Sequence, residues 1–189
     1  MEDYCLVVGD DAHWPRLIGG NECFGESSQP MDKDKYLAGV TELYQGEVEG
    51  EGLFSTLLGT CPAEHTYGVA LLLQLESEAK ARLRPFLWRL GISLVENEAM
   101  RGAGIEFANK LKGMPWQDAM LELAALAKPF RDRYRALEAV APQEDKPYVS
   151  FMIAHEITVI RYAEFQAAGN TKAAIEEVLK PLERPWSPQ

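Results

Sequence analysis

Val40-Thr41-Glu42-Leu43-Tyr44-Gln45-Gly46-Glu47-Val48-Glu49-Gly50-Glu51-Gly52-Leu53-Phe54-Ser55-Thr56-Leu57-Leu58 decides how this chain is read. Alternating steps of four and three pick out Val40, Tyr44, Phe54 and Leu58, the spacing of a buried helix face. The same steps also land on Glu47 and Glu51. Gly46, Gly50 and Gly52 accompany them, and a glycine inside a helix costs about 1 kcal/mol relative to alanine. A carboxylate on a buried face is expensive unless it is paired or metal-bound. The rest of the chain is therefore searched for partners of these two acids.

This helix is expected to start near Met31–Asp34, with Asp32 or Asp34 as cap, and to run to about Gly59, before Pro62. A second long helix should follow from Thr66 to Gly91. Its stripe is Val69, Leu73, Glu76, Lys80, Leu83, Leu87 and Leu90, again with charged residues in the middle. Ser93-Leu94-Val95-Glu96 has the form of a capping box and should open a shorter helix that ends near Gly113. The helix expected from Pro115 carries Trp116, Met120, Leu123, Ala127, Phe130, Tyr134, Leu137 and Ala141 on its stripe, with no acid among them. Pro85 and Pro129 are expected to bend their helices. The last long helix should span Lys146 or Pro147 to Ala168, with His155-Glu156 in mid-span, and a short helix follows from Asn170 or Thr171.

The fold expected is all-α: an antiparallel four-helix bundle with extra short helices. Residues 1–30 read as an irregular N-terminal arm and residues 31–189 as the bundle domain. His13 lies in the arm and reads as a surface histidine.

Composition narrows the function. The formal net charge of −10 argues against nucleic-acid and anionic membrane partners, which call for basic patches. The longest aliphatic run, Val69 to Leu73, is too short to span a bilayer, and Glu2 and Asp3 stand where a signal peptide would be basic. Cys5, Cys23 and Cys61 are widely spaced, which points to reduced thiols and a cytoplasmic protein.

In an antiparallel bundle the middles of the long helices share one level. Glu47 and Glu51, Glu76 and Lys80, and His155 and Glu156 would then converge. Carboxylates with an imidazole make a donor set for iron or manganese. Lys80 supports a different reading, a metal-free ionic network with Glu51 or Glu76 that fixes helix register and leaves the bundle to bind a small ligand or a partner.

At Gly46-Glu47, Gly50-Glu51, Gln74-Leu75-Glu76 and Ala154-His155-Glu156 the chain resembles the ferritin-like superfamily, closest to its small bacterial members of poorly defined activity. The resemblance covers roughly residues 33 to 168. It implies a four-helix bundle with a di-metal centre, in a superfamily that stores iron, reduces peroxides, or hydroxylates and desaturates organic substrates. Carried over, the metal ligands are Glu47 or Glu51, Glu76, His155 and Glu156, with Lys80 as a buried charge partner. The usual Glu-x-x-His is missing, because Ala79 stands three after Glu76 and Met152 three before His155. Two expectations follow: a metal-dependent oxidoreductase acting on a small molecule, or a metal-free ligand-binding bundle. Either is compatible with self-association.

Overall fold

The computed structural model describes residues 32–185; the N-terminal arm with His13, Cys5 and Cys23 lies outside them. The described chain is all-α, with no strand among its residues. Its helices are α1 (Lys33–Leu58), α2 (Thr66–Arg89), α3 (Glu98–Leu111), α4 (Trp116–Val140), α5 (Lys146–Ala167) and α6 (Thr171–Leu179), with a 3-10 turn at Ala63–His65.

The helix ends follow the local chemistry. The Asp32 carboxylate caps α1 by accepting from the Lys35 amide, and Asn170 caps α6 by accepting from Ala173. Gly91 and Gly169 take positive φ values of 71° and 74° just past α2 and α5, the left-handed stop that glycine adopts most easily. The next amides, Ile92 and Asn170, reach back to the Leu87 and Phe165 carbonyls at 2.9 and 2.8 Å. Pro85 and Pro129 lie inside continuous helices on exposed faces, where the carbonyls they leave unpaired can meet water.

One boundary differs from the sequence reading. Ser93–Asn97 is not helical, and α3 starts only at Glu98. The Asn97 side chain caps it by accepting from Ala99, while Glu96, the expected capping acid, turns to Lys80 and Arg101. Pairing with two cations outweighs the weak gain of a box closure.

Packing divides the apolar core into two clusters. One joins Val40, Leu43, Tyr44 and Val48 of α1 to the later part of α2 (Leu83, Phe86), the later part of α4 (Tyr134) and the start of α5 (Val149, Met152). The other joins Leu53 and Phe54 of α1 to the start of α2 (Val69, Leu72), α3, the start of α4, the later part of α5 (Val159, Tyr162) and α6. Where the two clusters meet, three of the long helices carry buried polar residues: Glu47 on α1, Glu76 on α2 and His155–Glu156 on α5.

Candidate metal centre between α1, α2 and α5

The polar level has three members whose donor atoms meet. One ligand atom each from Glu47, Glu76 and His155 lies within 4.8 Å of the others. His155 Nε2 stands 3.3 Å from Glu76 Oε1 and 3.6 Å from Glu47 Oε2. All three side chains are buried, with Glu47 only 1% exposed.

The glycines of α1 explain how so much polar matter fits. A Cβ on Gly50 would stand 2.2 Å from Glu76 Oε2 and 2.5 Å from its Cδ. One on Gly46 would stand 2.7 Å from the Tyr134 hydroxyl, and one on Gly52 2.4 Å from the Arg101 carbonyl of α3. The helix propensity lost at these positions is exchanged for close approach by a carboxylate, a phenol and a neighbouring backbone.

The buried level is incompletely paired. Among the described residues, Glu47 Oε2, His155 Nδ1 and the Tyr134 hydroxyl are buried with no hydrogen-bond partner, as is His65 Nδ1 elsewhere. Such orphans are rare in folded proteins and each costs about 1–3 kcal/mol. Burial pushes Glu47 well above the usual carboxylate range, against the pull of His155 and with the help of Glu76. Desolvation would lower His155, but Glu47 and Glu76 outweigh it and raise the imidazole to about 10. Desolvation also raises Glu156 to about 8. Without a metal the buried level therefore favours the protonated forms of Glu47, His155 and Glu156.

Glu156 is turned roughly 100° from His155 around α5. It lies on the wall of a cavity of about 50 Å³, shared with Glu49, Gly50, Glu76, His155 and Phe130. Apolar walls come from Leu53 and Phe54 of α1, Leu123, Leu126 and Ala127 of α4, and Val159 of α5.

The other two expected site residues stand apart from this group. Glu51 is one helical turn beyond Glu47, roughly 6 Å along the axis. Its carboxylate accepts from Ser77 at 2.8 Å and Lys80 at 2.5 Å, with Arg101 at 3.4 Å. Lys80 also binds Glu96 at 2.6 Å, and Arg101 binds Glu96 at 2.5 Å. Lys80 and Arg101 lower Glu51 and Glu96 against desolvation. Two cations and two anions therefore close a neutral network linking α1, α2 and α3, and Lys80 does not face the metal candidates.

Tyr134, Glu49 and Arg101 carry no functional signal in the sequence, and Glu96 reads there only as a capping acid. Tyr134 sits on an otherwise apolar stripe, where only its phenol distinguishes it. Cys61 touches Thr66 at 3.9 Å, while the nearby His65 stacks on Trp116 with ring centroids 4.2 Å apart. No helix among the described residues is long and apolar enough to cross a membrane. In comparisons with known proteins, no family model, no curated protein and no solved structure matches the chain.

Proposed function

We propose that the chain is an antiparallel four-helix bundle of the ferritin-like kind, and that Glu47, Glu76 and His155 hold one iron or manganese ion for oxidation–reduction of a small molecule. The observation that carries this reading is the meeting of three buried donor atoms beside orphaned polar atoms. Donors about 2.1 Å from a common ion stand roughly 3.0 Å apart at octahedral and 3.4 Å at tetrahedral angles. The 3.3 and 3.6 Å separations are close to those values. Two carboxylates and an imidazole are a hard-to-borderline set suited to iron(II) or manganese(II).

When bound, the ion would supply one-electron chemistry toward dioxygen or peroxide. The chain's own residues do the rest. Gly50 admits the Glu76 carboxylate, the apolar walls limit water, and Glu156 holds a proton at the cavity wall near neutral pH. Lys80 and Glu51 set the register of α1 against α2. A cytoplasmic setting belongs to the same reading, as the wide spacing of the three cysteines in the sequence suggests.

A second reading is a metal-free bundle that binds a small ligand. It is favoured by the 3.3 Å approach of His155 Nε2 to Glu76, within reach of a charge-assisted hydrogen bond. The separating experiment loads the protein with iron(II) without oxygen and then follows its oxidation by dioxygen and by hydrogen peroxide. The metal reading expects oxidation at least ten-fold faster than for free iron(II) or for Glu47→Gln. Equal rates in all three would favour the metal-free reading.

A further inference from the structure

A second cavity, of about 470 Å³, lies between α2, α5 and the segment that follows α6. It shares no lining residue with the cavity at Glu76 and His155. Its volume falls within the roughly 300–1,000 Å³ usual for small-molecule sites. Leu75, Ala79, Phe151 and Pro181 give it an apolar side. The lining also carries four charged side chains, Glu78, Arg82, Glu183 and Arg184. Their formal charges cancel, so the hydrogen-bonding capacity each retains decides the ligand. Glu78 is already satisfied, accepting from Gln74 Nε2 at 2.6 Å and from the Glu183 amide at 3.3 Å. Gln74 Nε2 also reaches the Arg184 carbonyl at 2.7 Å, which holds this segment on α2. Arg82 lies over the Phe151 ring with its guanidinium carbon 4.2 Å from the centroid. A guanidinium held in this way is ordered, yet its N–H donors remain available to a bidentate acceptor. Neither Arg82 nor Arg184 pairs with an acid among the described residues, in a chain with 29 acids against 19 lysines and arginines. Glu183 is exposed and is the one acid of the lining without a partner there.

We infer that this cavity binds a small apolar carboxylate, with its anion on the N–H donors of Arg82 and Arg184 and its hydrocarbon against Leu75, Ala79, Phe151 and Pro181. Two guanidinium groups with free donors suit a carboxylate, which only accepts. An alcohol of the same shape would make neutral hydrogen bonds, about half as strong as charge-assisted ones. An ammonium would find Glu183 alone, in water, where an ion pair contributes little. Glu183 opposes the carboxylate for the same reason only weakly. The site does not depend on the proposed metal, since none of its residues belongs to that centre.

The test is calorimetric titration of the full chain at neutral pH with 3-phenylpropionate, 3-phenylpropanol and 3-phenylpropylamine. The acid should bind about ten-fold more tightly than the alcohol or the amine. Arg82→Gln and Arg184→Gln should each weaken the acid about five-fold or more and leave the alcohol unchanged. Both arginines are exposed, so these variants should keep the fold. Glu183→Gln should tighten the acid, because it removes the unpartnered negative charge from the lining. Alcohol or amine binding as tightly as the acid, acid affinity untouched by both arginine variants, or no saturable heat with the acid would overturn the inference. The same acid preference in Glu47→Gln, which the metal reading expects to be metal-free, would uphold this site whatever becomes of that reading.

Discussion

Gly50 and Glu76 show what a single residue contributes to this centre. The sequence makes Gly50 look like a weakness in α1, and only the fold shows that Glu76 occupies the space a side chain would fill. No local pattern on α1 could have revealed this, because the occupant comes from another helix. Gly50→Ala is expected to displace the whole Glu76 carboxyl group, since Cγ also lies only 3.1 Å from the added Cβ. Metal content should fall to background. Gained helix propensity of about 1 kcal/mol should offset part of the overpacking, so the thermal midpoint should fall less than the metal content suggests. Glu47→Gln separates stability from ligation. Burial raises Glu47 well above the usual carboxylate range when no ion is bound, so a neutral isostere should leave metal-free stability within about 1 kcal/mol while abolishing metal retention. Denaturant unfolding with chelator, beside elemental analysis, reads both.

At the scale of helices, most of the architecture was legible. Every long helix announced itself by a stripe, and on α1, α2 and α5 its charged interruptions marked the level where the core divides. Less legible was which acids would face inward. Glu47 and Glu51 occupy equivalent stripe positions, yet one turn of helix, with a rotation of roughly 40°, carries Glu51 to the α2–α3 side. There Lys80, Ser77 and Arg101 claim it. The capping box at Ser93–Glu96 failed for the same reason: Glu96 has stronger partners in Lys80 and Arg101 than in its own backbone. Lys80→Met should leave Arg101 as the one cation on Glu51 and Glu96, with Ser77 still donating to Glu51. The expected loss is about 2 kcal/mol, below the roughly 3–5 kcal/mol of a fully buried pair because Glu96 and Arg101 are partly solvated. Metal content should stay at the wild-type value, because Lys80 faces the neighbouring network. Loss of metal in Lys80→Met would show that the two clusters act as one.

For the whole molecule, a polar level between two apolar clusters makes stability depend on what fills it. Without metal, Glu156 is raised to about 8 and His155 to about 10, so the folded state binds more protons than the unfolded state. Stability then falls with rising pH: for Glu156 between about 4.3 and about 8, and for His155 between about 6.5 and about 10. Each group contributes at most about 1.4 kcal/mol per pH unit within its window. His65, lowered by burial, acts in the opposite direction, but its effect is spent by pH 7. Chelated protein should therefore lose thermal stability from pH 7 to 9. Metal binding needs deprotonated ligands, so added iron(II) or manganese(II) should stabilise more strongly at pH 8 than at pH 6, with release of about two protons per ion. The most direct measurement of the central claim is the metal content of protein produced in iron- and manganese-replete medium and purified without chelators. The account predicts about one iron or manganese per chain, retained in Glu51→Gln and lost in Glu76→Ala and His155→Ala. Wild-type protein without metal, or metal unchanged in both alanine variants, would contradict it.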